Sequence, residues 1–228
     1  MRRRSACRRS YSSHELKTPL TAIKGFVETL LDGALEDPKH NREFLETIQE
    51  QSNRLMRLIE DLLDLSAIEA KRTALQLEPI VVADVLERVF KSLEPMAKAQ
   101  SVRLLSELPL ALAAVRADRE KLAQILMNLI DNGIKFSPNG GDVRVSAQTH
   151  GDFIEIVVRD RGLGIAAADL PRVFERFFRA DRSHSHDIAG TGLGLAIVKH
   201  LVEALGGKAM AESRPDEGST FRFTLPLG

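Results

Sequence analysis

Apolar side chains recur every three or four positions along two long stretches in the first third of the chain. In residues 5–34 this spacing is carried by Leu16, Leu20, Ile23, Val27, Leu30 and Ala34. In residues 39–71 it is carried by Phe44, Ile48, Leu55, Leu58, Leu62 and Leu65, with one polar interruption at Gln51. The first helix should end near Gly33, and the sequence EDP at 36–38 indicates a short turn. The pattern therefore predicts a helical hairpin.

A hairpin of this length exposes a continuous apolar seam and has too few residues to bury it alone. Pairing two copies into a four-helix bundle would cover both seams, so we expect a homodimer through the hairpin. The alternative is a monomeric hairpin that packs on the rest of the chain.

The pattern changes after about residue 72, where short alternating segments take over. Strands are expected at 75–80, 102–107, 113–117, 142–149, 153–159, 208–213 and 220–225. Helices are expected at 83–99, 118–136, with Asp118 as N-cap, and 191–205. This order predicts an α/β sandwich with helices on one face of a largely antiparallel sheet. The expected domains are residues 1–72 and 73–228, one all-α and the other α+β.

Composition limits the binding partners and the cellular compartment that we expect for this chain. The 228 residues are 43% hydrophobic, and 32 basic side chains balance 32 acidic ones, so no overall field favours nucleic acid or an anionic membrane. No apolar run approaches the roughly 20 residues of a membrane helix, and the single Cys7 fits a reducing compartment. We expect a cytoplasmic protein with no membrane segment. Five of the first ten residues are arginine, which indicates a solvated helix end or, alternatively, a basic anchor or nucleic-acid contact.

The first helix carries a candidate nucleophile. At about 100° per residue, His14 points away from the apolar seam, with Glu15 beside it and Thr18 one turn further on the same face. A neutral imidazole can act as a nucleophile, and a neighbouring carboxylate can orient it or accept its proton. The alternative is an ordinary solvated histidine. Pro19 should kink the helix just after this patch.

The helix expected at 118–136 carries a second polar group. Asn128, Asn132 and Lys135 are spaced by four and three residues and share one face. Carboxamide oxygens can ligate a hard cation such as Mg²⁺, and the ammonium can neutralise phosphate charge. A solvated polar helix face is the alternative.

Two glycine-rich runs follow, DRGLGI at 160–165 and GTGLGL at 190–195. Glycines let a backbone approach a nucleotide closely, a helix N-terminus offers N–H groups to phosphate, and Asp160 could accept from the adenine amine. The second run fits neither a dinucleotide-binding nor a P-loop pattern, and a plain turn remains the alternative for each run. Between them, FERFFR at 174–179 and the polar stretch 180–189 indicate a mobile lid, whose His184 and His186 are too few to hold a metal.

The order of these motifs resembles that of sensor histidine kinases. The runs SHELKTPL at 13–20, NLIDNGIKFS at 128–137, DRGLGI, FERFFR and GTGLGL are similar to the H, N, G1, F and G2 boxes of that family, over nearly the whole chain. GFVETLL at 25–31 and EDLLDLS at 60–66 are similar to the phosphate-regulon sensor kinases. The resemblance implies a dimerisation and histidine-phosphotransfer hairpin followed by an ATP-binding domain of the Hsp90-like Bergerat type.

The resemblance also implies roles for individual residues. His14 matches the phosphoacceptor, Glu15 the residue that assists proton removal, and Thr18 the position that orients water during dephosphorylation of the partner. Asn132 matches the principal magnesium ligand, with Asn128 beside it. Lys135 matches a phosphate contact, Phe136 an adenine-packing aromatic and Asp160 the adenine-recognising carboxylate. The other implied nucleotide-binding positions are Gly162, Gly164, Ile165, Arg176, Phe177, Gly190, Thr191, Gly192, Leu193 and Gly194.

These matches imply in-line phosphoryl transfer from Mg-ATP to His14 and on to an aspartate in the receiver domain of a response regulator, which the kinase can also dephosphorylate. Two features depart from the family. Gly133 stands where alanine is usual and should loosen the helix by up to about 1 kcal/mol. Only thirteen residues precede His14, where relatives continue upstream into a linker and membrane-anchored sensor, so we expect a truncated or sensorless kinase.

Two other classes of function compete with an active kinase. One is a catalytically silent scaffold whose bundle only binds a response regulator or another kinase; loss of a box residue would favour it, and none is lost. The other is a different Bergerat ATPase, such as a chaperone or mismatch-repair type, or a serine-directed kinase. Those proteins lack an H box on a preceding helical hairpin.

Overall fold

The computed structural model describes residues 4–70, 75–138, 140–179 and 190–228. The chain divides into two units, Met1–Asp64 and Leu65–Gly228.

The first unit contains the first predicted helix and most of the second. Helix α1 spans Arg4–Leu31 with Pro19 inside it, and α2 begins at Asn41 and ends at Glu69. Between them, Gly33 adopts φ 120°, and a short 3₁₀ turn spans Ala34–Glu36. Asp37 then accepts a hydrogen bond from the backbone N–H of Lys39 at 2.9 Å. The helical hairpin is confirmed.

The apolar seam of the hairpin is only partly covered. The rings of Phe26 and Phe44 lie 5.5 Å apart near the turn, and Leu30 is 6% exposed. A second set of large apolar side chains on the same two helices is exposed: Leu20, Val27, Leu31, Leu45, Met56, Ile59 and Leu63. Each helix thus has a broad apolar face, and we call this exposed set the outer strip.

The second unit is built on a five-stranded sheet. Its elements in chain order are β1 (Glu78–Ile80), α3 (Val82–Ala99), β2 (Val102–Glu107), β3 (Val115–Ala117), α4 (Arg119–Lys135), β4 (Gly141–His150), β5 (Phe153–Arg159), α5 (Gly194–Ala204), β6 (Ala209–Arg214) and β7 (Gly218–Pro226). The sheet order is β2-β4-β5-β7-β6, and β1 pairs separately with β3. Of the strand pairs in this sheet that the described residues form, β2 and β4 alone are parallel, so the largely antiparallel sheet is confirmed.

The core lies between the sheet and its helices. Side chains alternate along β5, where Ile154, Ile156 and Val158 are buried, and along β7, where Phe223 and Leu225 are buried. α4 contacts β4 and β5, α5 contacts β6 and β7, and α3 contacts β2 and α4. One face of each strand therefore packs on the helices, which confirms the predicted sandwich.

The start of α4 is fixed by the predicted N-cap. Oδ1 of Asp118 accepts hydrogen bonds from the backbone N–H groups of Glu120 and Lys121 at 3.0 and 3.2 Å. Its Oδ2 accepts from the backbone N–H of Gln76 at 3.0 Å. Asp118 therefore satisfies the helix end and ties it to the segment that leads into β1. This anchoring matters because α4 carries the candidate N box.

The structure corrects the simple expectation for Gly133. A Cβ at this position would lie 3.0 and 3.2 Å from the two Cγ atoms of Val143 and 3.5 Å from Cβ of Asp160. Helix propensity favours alanine here by up to about 1 kcal/mol, but the close approach of β4 opposes it. The glycine allows α4 to pack tightly on the sheet beside Asp160.

We predict that the effect of Gly133→Ala depends on Val143. The substitution should be about 1 kcal/mol more favourable in a Val143→Ala background than in wild type, because the shortened side chain removes the 3.0 Å contact. Urea unfolding of the four proteins of this double-mutant cycle measures the coupling. Gly25→Ala in α1, where a Cβ meets nothing within 4 Å, is the matched control and should show helix propensity alone. Equal effects in both backgrounds would contradict the prediction.

Candidate functional site

The polar residues of α4 are partly exposed, as a binding face requires. Asn128, Asn132 and Lys135 are all of intermediate exposure, whereas Leu122, Ile125, Leu126 and Leu129 on the same helix are buried. Lys135 also forms an ion pair with Asp131, one turn earlier, which sequence reasoning did not anticipate. A phosphate contact by Lys135 would have to share or replace this partner.

The second glycine-rich run lies against Asn128. A Cβ at Gly194, the first residue of α5, would be 3.2 Å from Oδ1 of Asn128. The helix was predicted to begin at Thr191, and this was wrong by three residues. Oγ1 of Thr191 accepts from the backbone N–H of Leu193 at 3.2 Å, and Gly192 has φ 69°, so residues 191–193 form a turn. The carboxamide of Asn128 therefore faces the N-terminus of α5, where backbone N–H groups are available to an anion.

Asp160 is a buried carboxylate at the end of β5. Its Oδ1 accepts hydrogen bonds from the backbone N–H groups of Gly162 at 2.9 Å and Ser219 at 3.1 Å. Neither bond uses Oδ2, which can accept from a ligand. The residue is 5% exposed, and this burial raises the pKa of its carboxyl, an effect that the two backbone hydrogen bonds oppose.

The first glycine-rich run packs on the C-terminal end of α4. A Cβ at Gly162 would overlap the carbonyl oxygen of Phe136, and one at Gly164, which has φ 68°, would overlap the carbonyl of Arg214. The backbone N–H of Leu163 donates to the same Phe136 carbonyl at 2.9 Å. The Phe136 side chain is 40% exposed. Only glycine permits this approach, which brings Asp160 and Phe136 into one region.

The F-box segment is joined to the second glycine run by its backbone. The N–H of Phe177 donates to the carbonyl of Gly192 at 2.8 Å, and Phe177 itself adopts φ 59°, a left-handed conformation that costs free energy for a bulky residue. A Cβ at Gly192 would lie 2.9 Å from Cα of Phe177. Arg176 and Gly190, which are near this backbone contact in the chain, are partly exposed. The predicted lid with His184 and His186, residues 180–189, lies outside the described residues.

The predicted phosphoacceptor patch lies in α1. The backbone of His14 and Glu15 is helical, and Thr18 is exposed. The side chains of His14 and Glu15 lie outside the described part of the structure, so their outward direction stays a prediction.

Sequence reasoning missed two residues beside Asp160. Gly218 has φ 87°, and a Cβ there would overlap the Asp160 carbonyl. Ser219 is 7% exposed, its backbone N–H donates to the Asp160 carboxylate, and its carbonyl accepts from the backbone N–H of Asp160. The signal in the sequence was a third glycine turn, EGST at 217–220, between two predicted strands.

The assembled groups suit a purine nucleoside triphosphate. A buried carboxylate and a half-exposed aromatic ring lie at one end of α4, and two carboxamides and the N-terminus of α5 lie along its side. Among the described residues, no three His, Cys, Asp or Glu side chains are grouped to hold a metal ion. A magnesium ion fits this site only through carboxamide and phosphate oxygens, which are the hard ligands it prefers. In the part of the chain that is described, no helix is long and apolar enough to cross a membrane.

Two family models match the chain. Residues 10–71 match the His Kinase A (phospho-acceptor) domain, and residues 117–228 match the histidine kinase-, DNA gyrase B-, and HSP90-like ATPase family. Together they include all the box residues named above.

Individual relatives point the same way. Sensor histidine kinase WalK of Bacillus subtilis is 38% identical over 94% of this chain, although the chain spans only 35% of that relative's length. The solved histidine kinase AdeS of Acinetobacter baumannii is 30% identical, with a TM-score of 0.76, over 94% of this chain and 98% of AdeS. Full-length ShkA in complex with AMPPNP is 28% identical, with a TM-score of 0.71, over 95% of this chain and 44% of ShkA.

We predict that Asp160→Asn stabilises the fold while weakening nucleotide binding. The amide oxygen can keep both backbone hydrogen bonds, and the buried charge is lost, so the unfolding temperature should rise at pH 7–8. Because burial raises the folded-state pKa, the charge penalty exists above that pKa and disappears as pH falls. The gain over wild type should therefore shrink towards pH 4. Thermal unfolding at several pH values, with and without ATP, measures both effects.

Asp142→Asn is the matched control for this prediction. Asp142 is 4% exposed, but hydrogen bonds from Arg144 and Arg103 hold the pKa of its carboxyl below the ordinary value. Its substitution should lower the unfolding temperature at pH 7–8 and leave ATP binding unchanged. A stability loss in Asp160→Asn like that of the control would contradict the assignment.

Proposed function

The chain belongs to the sensor histidine kinases of two-component systems, and we propose that it is their ATP-dependent catalytic core, which phosphorylates His14 and passes the phosphoryl group to an aspartate of a response regulator. The proposed division of labour assigns residues 1–72 to dimerisation and phosphotransfer and residues 73–228 to ATP binding. The observation that carries the proposal is the convergence of the N, G1 and G2 boxes on α4.

The proposed nucleotide lies along α4. Oδ2 of Asp160 accepts from the adenine amine, and Phe136 packs on the base. The triphosphate extends towards the N-terminus of α5, where the backbone from Gly190 to Gly194 offers N–H donors. Gly162, Gly164 and Ile165 line the base, and Arg176 and Phe177 flank the phosphates.

The residues proposed to hold magnesium are Asn132, as principal ligand, and Asn128. When bound, the ion supplies charge neutralisation to the phosphate oxygens during transfer. Lys135 adds positive charge at the same phosphates, and leaves Asp131 or bridges to it when the nucleotide binds.

The proposed reaction at His14 is an in-line displacement. A neutral imidazole nitrogen forms a bond to the γ-phosphorus as the bond to the bridging oxygen of ADP breaks, and Glu15 accepts the proton from the other ring nitrogen. The carboxylate of the receiver aspartate then displaces the histidine nitrogen. Thr18 lies one helical turn after His14 in α1 and is exposed. In the proposed phosphatase reaction it orients the water that hydrolyses the aspartyl phosphate of the partner.

We propose that the outer strip packs against a second copy of the hairpin in a homodimer. Seven large apolar side chains on α1 and α2 are at least 38% exposed in the single chain, Val27 being the least exposed and Leu31, at 77%, the most. A four-helix bundle would remove them from water, and each fully buried side chain of this size is worth roughly 1.5–3 kcal/mol.

The first test of the proposed activity is incubation with magnesium and γ-labelled ATP. Wild-type protein should acquire label that is labile in acid and stable in alkali, as expected for phosphohistidine. His14→Gln should bind ATP normally yet acquire no label, and Asn132→Ala should lose label together with magnesium-dependent ATP binding. Asn53→Ala, an exposed position in α2, is the matched control for Asn132 and should label normally.

Two outcomes would contradict the kinase proposal. Wild-type protein that binds ATP but acquires no label would favour the silent scaffold. Label on His14→Gln that survives acid would indicate a hydroxyl-directed kinase instead.

We predict that a charge in the outer strip dissociates the dimer. Ile59→Glu should convert the protein to a monomer at micromolar concentration, because the new carboxylate would be buried in the bundle without a partner. Asn53→Glu places the same charge on the polar side of α2 and should leave the dimer intact. Light scattering coupled to gel filtration gives the mass of each. A wild-type monomer, or equal masses for both variants, would contradict the proposed interface.

A further inference from the structure

Ser213, in the edge strand β6, reaches the first glycine-rich run with its side chain. Its Oγ lies 2.8 Å from the backbone N of Ile165, 2.8 Å from the carbonyl oxygen of Gly218 and 3.1 Å from Oγ of Ser219. No box of the family resemblance includes this residue.

The three contacts fit a single hydroxyl completely. A serine hydroxyl has one proton to donate and two lone pairs that can accept. The Ile165 N–H can only donate and the Gly218 carbonyl can only accept. Ser213 therefore donates to Gly218, and the Ser219 hydroxyl must donate to Ser213. The hydrogen-bonding capacity of Ser213 is fully used, and each bond has a fixed direction.

Ser219 carries this arrangement to Asp160. The backbone N–H of Ser219 donates to Oδ1 of Asp160 at 3.1 Å, and the backbone N–H of Asp160 donates to the Ser219 carbonyl at 3.0 Å. The hydroxyl of Ser213 therefore fixes Ser219, and the backbone N–H of Ser219 fixes the Asp160 carboxylate. It also holds Ile165, at the other end of the same turn.

Two further anchors of the turn are made by backbone groups alone. Leu163 donates to the carbonyl of Phe136 at 2.9 Å and accepts from the N–H of Asp216 at 2.8 Å. Backbone anchors survive most substitutions, whereas the Ser213 bonds depend on a hydroxyl at this one position. A substitution at Ser213 therefore removes a hydrogen bond to the turn at residues 160–165, although Ser213 itself belongs to another element.

We propose that Ser213 is a positioning residue for adenine recognition, an inference that rests on the proposed nucleotide site. It fixes Ile165 and, through Ser219, the Asp160 carboxylate, and so sets where Oδ2 meets the base. Adenine presents an amine to this carboxylate, whereas guanine presents a carbonyl oxygen, which Asp160 repels. Loss of the Ser213 hydroxyl therefore weakens ATP binding and narrows the preference for ATP over GTP, while the phosphoryl-transfer step is unaffected once ATP is saturating.

The test compares Ser213→Ala with Ser213→Thr in the full chain. Affinities for ATP and GTP are measured by displacement of a fluorescent ATP analogue, KM and kcat by autophosphorylation, and stability by thermal unfolding. Ser213→Ala should weaken ATP binding and raise KM about fivefold to tenfold, reduce ATP-over-GTP preference, and leave kcat within about twofold. Ser213→Thr keeps the hydroxyl and should restore the ATP affinity. Ser106→Ala, an exposed serine in β2 at the opposite edge of the sheet, should match wild type.

The outcomes separate this inference from the proposed function. Unchanged ATP affinity in Ser213→Ala, with wild type binding ATP and Asp160→Asn failing to bind it, would overturn the role of Ser213 alone. So would an equal loss of ATP and GTP affinity that threonine does not restore, since that pattern indicates general loosening of the fold. Wild-type protein that binds no ATP would instead overturn the proposed function, and the inference with it.

Discussion

The close packing of backbone around the C-terminal half of α4 is the constraint on which the ATP-binding unit depends. The carbonyl of Phe136 receives the backbone of Leu163, and Gly162 fits against it only because it has no Cβ. Gly133 meets Val143 of the sheet in the same way, and Asn128 meets Gly194. Three other segments of the chain therefore meet at this helix. Its C-terminal end faces the base of the proposed nucleotide, and its side at Asn128 faces the phosphates.

Two residues of the proposed nucleotide site are held in states that lower the stability of the fold. Asp160 is an acid held in a buried position that raises its pKa, and Phe177 is held in a left-handed conformation that a large side chain rarely adopts. Both are costly, and both lie where a ligand would contact the protein. The well-satisfied hydrogen bonds of Ser213 and Ser219 compensate by fixing the surrounding turn. The first unit makes a different compromise, because the apolar side chains of the outer strip stay exposed in the single chain, and a second copy is only the proposed cover for them.

Much of the fold was predictable because its signals are local. The period of the apolar residues gave both helices of the hairpin, and Asp118 marked the start of α4 through its own hydrogen bonds to the next turn. The start of α5 was misplaced because a glycine run is compatible with either a helix or a turn. In the structure, the Thr191 hydroxyl accepts from the backbone N–H of Leu193, and α5 begins only at Gly194.

The sequence by itself determined the order of the elements, the family, and the identity of the polar and glycine residues of the site, because each depends on residue type and spacing along the chain. The tertiary structure decided which of these residues meet. It showed that Lys135 already has Asp131 as a partner and that Gly133 faces Val143, and it brought Ser213 and Ser219 to Asp160 from strands more than fifty residues away in the chain. Such contacts depend on strand register and on distances of a few tenths of an ångström, and a single sequence carries no record of either.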